Sequence, residues 1–509
     1  MASTTFTDGS TTIYSSWLND VNAATYNAAG DITGSIARTA QAKFSDIVSV
    51  KDFGAVGNGV ADDTAAIQAA ITSFTGGLTG VGLYFPKGIY VTSSTLIIGD
   101  KQNMYMVGEG VNTTVIKPTI SVPVVFSFGS SSTANQGISG MKILCSAGNS
   151  NTAVRVQNCQ NFFFNGMGID GANIGLIVDS GVIHFYSNFF INNSINTGIQ
   201  INGGNDQFFR DGVLSSVGGP QPTTAGIVCT STGAFWMDSV DAISQKVGFL
   251  LAPTGSSEID WLFISNCAFD SGSSDGIQFA PGSGALIKGC TFTGCWTSTN
   301  DYGVNIKNTG GTIDGVRFIG HRSFNNAKSG YVVGTTNAQN IFFTGCDASG
   351  NSASSSGTYS GFDIGADVSE FSIIGCRSGQ QADFSNTQSR GILINPGTST
   401  NYTLSDNDVR GNVTNTLLDL GTGTTKIIKG NLGYNPIGTT SITVTSSPFT
   451  YTNNTGDTIS IFVTGGTVSD IALSGNTVGA ATNAVVAVPQ QSSLVVTYSV
   501  APTMTYLGY

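Results

Sequence analysis

Cutting a glycosidic bond by hydrolysis takes two carboxyl groups, one protonated and one ionised, beside surfaces that hold a sugar. Five carboxylates in one stretch of the sequence could supply them: Asp211, Asp238, Asp241, Glu258 and Asp260. Asp211 and Asp238 each stand one position before a tight turn in successive repeats, which predicts backbones ~5 Å apart. Two like charges that close split their pKa values and push one towards the acid role. Asp241 follows on the same turn, Trp236 is near enough to offer a stacking face, and Arg210 adjoins Asp211. In Glu258-Ile259-Asp260-Trp261, strand alternation puts the two carboxylates on one face beside an indole. The chain has only three glutamates, Glu109, Glu258 and Glu370. Trp236, Trp261, Arg210 and Asp270 are the expected sugar contacts, with Asp270, Asp275 and Asp301 placed in long variable loops.

Each candidate has a plainer reading. An Asp before a tight turn commonly hydrogen-bonds its own backbone, and a loop carboxylate is commonly just solvated. His321 falls at an inward position and His184 lacks an acidic neighbour in sequence, so both read as core residues. Arg322, Asp347 and Arg377 read as a charge ladder across repeats, weak pair by pair. Neither a metal-ligand spacing nor a calcium-type Asp cluster emerges, so no metal and no cofactor is expected.

These residues sit in a periodic region. A Gly, or Ala in the first case, opens an apolar-alternating strand at Ala153, Gly175, Gly198, Gly226, Gly248, Gly276, Gly303, Gly330, Gly361 and Gly391, at intervals of 22 to 31 residues. Three short strands with tight turns need roughly 20–25 residues, which fits one coil of a β stack. A second column reads Gly166, Asn188, Gly212, Ser239, Asn266, Gly289, Gly320, Gly345 and Gly375. Gly and Asn tolerate a left-handed backbone, so this column predicts one sharp turn in every coil. The positions just after it (Met167, Phe189, Val213, Val240, Cys267, Cys290, His321, Cys346, Cys376) are expected to point inward. That places half of the eight cysteines in the core without any chemistry.

The 509 residues carry only 10% charged side chains against 40% hydrophobic, with 67 Gly and 30 Phe, so the chain folds but clothes itself in Ser, Thr and Asn. A net charge of −11 without a basic cluster argues against nucleic acid as a partner. Met1 to Phe6 lacks the basic and apolar regions of a signal peptide, and no apolar run approaches ~18 residues. Membrane insertion is therefore not expected, while synthesis in a reducing cytoplasm is.

Ahead of the repeats, Asp52-Phe53-Gly54-Ala55, Gly57-Asn58-Gly59 and Asp62-Asp63-Thr64-Ala65-Ala66-Ile67 read as strand, turn and a capped helix running to about Phe74. Such a helix would plug the open end of the stack. Together with Tyr84-Phe85-Pro86-Lys87-Gly88-Ile89-Tyr90, this block resembles the pectate-lyase-3 family of phage tailspikes and capsule depolymerases. Thr11 to Asn22 is similar to the virion-anchoring leaders of short-tailed-phage spikes. The resemblance implies an all-β, right-handed parallel β-helix in a homotrimer, attached to tail proteins through its N-terminus and located in the virion. It also departs from the polygalacturonase pattern, because Gly320-His321-Arg322 lacks the third Gly and Asp62-Asp63 precedes the coils.

The expected organisation is a leader over 1–45, the start of the helix and its cap over 46–150, repeats with a polysaccharide groove over 151–430, and a C-terminal β domain over 431–509. That last part reads as antiparallel strands at 441–444, 459–463 and 494–498, serving trimerisation or glycan contact. The expected function is recognition and endo-glycosidic hydrolysis of a bacterial capsular polysaccharide or O-antigen. Two alternatives remain open: a lyase acting by β-elimination, for which Lys288, Arg317 and Lys307 offer basic groups, and an adhesin that binds without cutting.

Overall fold

The computed structural model describes residues 46–508, apart from 75–80, 132, 147, 308–309, 335 and 481, together with Thr25–Tyr26 and Arg38–Thr39. The leader expected over 1–45 thus lies outside the described residues, but for one short antiparallel pairing of those two dipeptides. The rest is a right-handed parallel β-solenoid of about 14 turns followed by a small antiparallel region.

One face of the solenoid is a sheet of 13 parallel strands, from Leu96–Gly99 to Asn415–Gly421. The other two faces form one continuous sheet whose strands bend as they pass from one face to the next. Five of these strands position the site: β1 (Gly181–Asn192), β2 (Asn205–Ser215), β3 (Thr232–Ile243), β4 (Glu258–Ser265) and β5 (Ala268–Asp270). The Gly column is in register throughout, Gly198 beside Gly226 and Gly248 beside Gly276. A Cβ on Gly248 would lie 2.6 Å from the Gly276 carbonyl oxygen and 2.8 Å from Phe269, so the column exists for close approach.

The bend between the second and third faces is a ladder of left-handed residues: Gly166, Asn188, Asp211, Ser239, Asn266, Gly294, Gly320, Gly345 and Gly375. Two positions differ from the sequence reading. Asp211 (φ 53°), and not Gly212, makes the turn in β2, and Gly294 replaces Gly289. Asp tolerates this conformation through local side-chain bonding. Gly212 is needed for another reason, since a Cβ there would lie 2.1 Å from the buried Phe189 ring. The inward column accordingly runs through Gly212 and Cys295 in place of Val213 and Cys290. Gly212→Ala should therefore overpack the interior and cost about 1–3 kcal/mol, read as a lowered urea midpoint at unchanged slope.

Helix α1 (Thr64–Ser73) buries Ile67, Ala70 and Ile71 in the same core as Leu83 and Leu96, as a plug would. Its cap differs in detail. The Asp63 carboxylate turns away to accept the Val56 and Gly57 amides, and Asp62 receives Thr64 N at 3.0 Å. Beyond the solenoid, Gly438–Ile442 to Thr503–Gly508 form two four-stranded antiparallel sheets around their own core of Ile459, Ile461, Ile471 and Leu494.

All eight cysteines are buried and free. Both histidines are buried too. His184 bonds Tyr186 Oη (3.0 Å) and the Cys159 carbonyl (2.8 Å), while His321 bonds Tyr331 Oη (2.9 Å) through one nitrogen and leaves the other without a partner. Burial pushes their pKa values down, to about 4 for His184 and about 3 for His321. A folded pKa below the unfolded one means the unfolded chain binds the proton more readily. The stability from neutral imidazoles is thus present above ~6.5 and lost as pH falls through that range. Chemical unfolding at pH 7 and pH 4 should show this loss, and His321→Gln should flatten it.

Candidate functional site

The register resolves which candidates meet. Arg210 on β2 lies directly opposite Asp238 on β3, and Phe208 opposite Trp236; on β4, Ser265 is opposite Asp238 and Phe263 opposite Trp236. The expected Asp211–Asp238 stack is therefore corrected, because Asp211 sits on the turn beside Ser239. Reading Gly212 as the turn residue had shifted that coil by one position, and a one-residue slip exchanges the faces of a strand.

Phe208, Arg210, Trp236, Asp238, Phe263 and Ser265 line a groove of about 220 Å³ closed by Thr291 and Thr293. Its wall is the end of a pile of rings, one per coil: Phe163, Phe185, Phe208, Trp236 and Phe263, with centroid separations of 4.7 to 5.5 Å and near-parallel planes, the last three lining the groove. Rings stacked on one another turn their edges to solvent. The open face is at the end of the pile, on Phe263, since the next position in the column is Thr291.

Asp238 accepts hydrogen bonds from Ser265 Oγ (2.6 Å), Asn266 Nδ2 (2.9 Å) and Ser239 Oγ (2.9 Å). Ser265 above all, with Asn266 and Ser239, holds its pKa below the ordinary carboxylate value. Three residues on, beyond the bend, Asp241 is half-buried with Oδ1 lacking any partner. Burial first, and the charge of Asp270 second, raise it to about 6. Asp270 lies on β5, a strand and not a loop, two positions along from Ala268, which stands opposite Asp241. It accepts Ser298 Oγ at 2.6 Å and Ser271 Oγ at 3.2 Å. One strand thus carries two carboxylates whose surroundings push their pKa values apart, the pattern of an acid and a base.

Glu258 and Asp260 do share a face, but Lys288 on the next coil bridges them at 3.1 and 3.5 Å. No sequence spacing betrayed that lysine, since the register depends on loop lengths. Trp261 is 56% exposed and holds a left-handed backbone (φ 55°), an uncommon strain for so bulky a residue. Its indole lies over Gly289, where a Cβ would approach to 3.2 Å, so one ring face is backed by protein. Of the other loop candidates, Asp275 is buried and accepts Asn305 Nδ2 at 2.9 Å, and Asp301 pairs with Lys328 at 2.7 Å. Arg322 is opposite Asp347 and Asp347 opposite Arg377, as a charge ladder requires. Among the described residues no group of three or more His, Cys, Asp or Glu could hold a metal, and no helix is long and apolar enough to cross a membrane.

Residues 47–219 match the rhamnogalacturonase A/epimerase, pectate lyase-like family, and residues 248–432 match the right-handed β-helix region. Among curated proteins, a mannuronan C5-epimerase of Azotobacter vinelandii is 30% identical over 259 residues, covering 45% of this chain and 25% of that protein. A second epimerase of the same organism is 34% identical over 191 residues, 33% of each. The chain thus spans a quarter to a third of these relatives. Among solved structures, the tailspike protein of E. coli bacteriophage HK620, bound to a pentasaccharide, aligns with a TM-score of 0.57 at 12% identity over 96% of this chain and 97% of that one. Tailspike protein 3 of bacteriophage CBA120 also gives 0.57, at 15% identity over 87% and 73%. Likeness at such identities establishes the fold. The chain is built of pectate-lyase-like and right-handed β-helix regions, and phage tailspikes are among its structural neighbours.

Proposed function

We propose that this chain is a phage tailspike that binds a bacterial capsular polysaccharide or O-antigen and cuts it by endo-glycosidic hydrolysis. The observation that carries the reading is the split pair on β3: Asp238, which lines the aromatic-walled groove with its pKa held low, and Asp241, three residues on beyond the bend and raised to about 6. In this reading Asp241 donates its proton to the departing glycosidic oxygen. Asp238, kept as a carboxylate by Ser265, Asn266 and Ser239, acts as nucleophile or activates water. Phe263 and Trp261 supply apolar faces to sugar rings, Trp236 its exposed edge, and Arg210 beside Asp238 offers guanidinium donors to hydroxyls. In this reading Glu258 and Asp260, both paired with Lys288, shape the strand that carries Trp261.

The tailspike neighbours also support a virion location, while assembly as a homotrimer and attachment to tail proteins through the N-terminal residues rest on the resemblance of the sequence to tailspikes. The epimerase relatives keep elimination at a uronic acid as the second reading, since proton abstraction next to a carboxylate opens that reaction. The test is exposure of purified protein to capsules and O-antigens from a bacterial panel. Release of oligosaccharides in whole repeat lengths supports depolymerisation; binding without any release would make the protein an adhesin.

A further inference from the structure

The charges and hydroxyls around the groove restrict which glycan can enter it. We propose that the site takes an uncharged polysaccharide, whose repeat presents apolar sugar faces. This rests on the glycan-binding reading above and narrows it.

A polyanion needs fixed cations at its path, since each buried or half-buried acid of the ligand must find a partner. The faces flanking the groove offer few of them. Lys288 is shared between Glu258 and Asp260, and Arg317 lies over the Phe342 ring at 5.3 Å. Arg210 has no ion-pair or hydrogen-bond partner among the described residues, and it stands directly opposite Asp238. Against Arg210, and Arg317 opposite Thr291, stand the carboxylates of Asp238, Asp270 and, when ionised, Asp241 around the bend, within a chain of net charge −11. The local field repels a string of uronates or phosphates.

What the groove does offer is neutral. The open face of Phe263 ends the pile of rings, and the backed indole of Trp261 presents a second face two residues away on β4. Ser265, Thr291 and Thr293 line the groove beside Phe263; the threonine hydroxyls donate or accept as a sugar requires, and Ser265, which donates to Asp238, accepts. Strain at Trp261 persists although Gly or Asn would fit the turn, as Gly289 does at the same place in the next coil. The same left-handed place holds Ile183, Asp206 and Ala234 in the preceding coils, so the fold tolerates a side chain there, and in this coil it is an exposed indole that can serve as a stacking platform.

The test uses the full chain carrying Asp241→Asn, on an array of purified bacterial capsules and O-antigens with neutral and acidic members, read at two salt concentrations. Binding should be confined to neutral glycans and change by less than about twofold between roughly 0.05 and 0.5 M salt. In the same background Trp261→Ala should weaken it about tenfold and Trp261→Phe far less. Binding led by acidic glycans, falling with salt and lost on Arg210→Ala, would overturn the proposal, as would an array with no neutral hit. The two readings separate: a neutral glycan bound but left whole by the unsubstituted chain sinks the hydrolase alone. An acidic glycan bound and hydrolysed sinks the neutral specificity alone.

Discussion

Replacing Asp241 by Asn should reduce cleavage by about a thousandfold while leaving glycan binding intact, because an amide of the same shape has no proton to give at the glycosidic oxygen. The surroundings of Asp241 explain why it should act as the acid. Its carboxyl is half-buried, one oxygen is without a partner, and Asp270 adds a like charge. All three favour the neutral form. Activity should therefore decline as pH rises through about 6, where Asp241 loses its proton. Asp270→Asn removes the second of the two causes and should move that decline to lower pH. Asp238→Asn should be as inactive as Asp241→Asn, but for the opposite reason, since it deletes the charge that Ser265, Asn266 and Ser239 stabilise. Asp211→Asn is the contrasting case. Asn accepts the left-handed turn that Asp211 makes, so activity should stay within about twofold of the original. A thousandfold loss there would return Asp211 to the site.

The second large effect concerns stability. Lys426 and Asp419 form an ion pair at 2.6 Å with side chains only 3% and 7% exposed, where the solenoid ends. Tyr402 Oη donates to the same carboxylate at 2.8 Å, and Lys426 also donates to the Gly421 carbonyl at 3.0 Å. Lys426→Ala leaves Asp419 buried and uncompensated, which should cost about 3–5 kcal/mol. Removing both charges at once, with Lys426→Met and Asp419→Leu, should cost markedly less than the single change, because no charge is then stranded. A double-mutant cycle by urea unfolding checks this, and equal losses in the single and double variants would refute the buried-charge argument.

Much of the solenoid could be read from residue order because each coil repeats one set of local demands. The Gly column from Gly175 to Gly391 marks close backbone approach, and the structure keeps it in register from coil to coil. Left-handed turns were legible where Asn or Gly stood alone, as at Asn188 and Asn266. They failed at Asp211-Gly212, where two tolerant residues adjoin and only the Phe189 ring decides between them. That slip hid the pairing of Arg210 with Asp238. Likewise, the sequence shows Asp241 following Asp238 on one turn but not that their surroundings differ, and the divergent pair lies along one strand on either side of a bend. Asp270 reads as a loop residue in the sequence because its strand is three residues long, too short to show alternation. The environments that separate Asp238 from Asp241 come from Ser265, Asn266 and Asp270, each about one coil away in sequence, so no local pattern announces them.

The most direct test of the central claim is to let the protein act on a cleavable capsule or O-antigen in heavy-oxygen water and weigh the fragments. Hydrolysis at the Asp238–Asp241 pair predicts saturated oligosaccharides, each carrying one heavy oxygen at the newly formed reducing end, and none of this with Asp241→Asn. Fragments that carry no heavy oxygen and absorb as unsaturated uronates would contradict the account and transfer the chemistry to elimination.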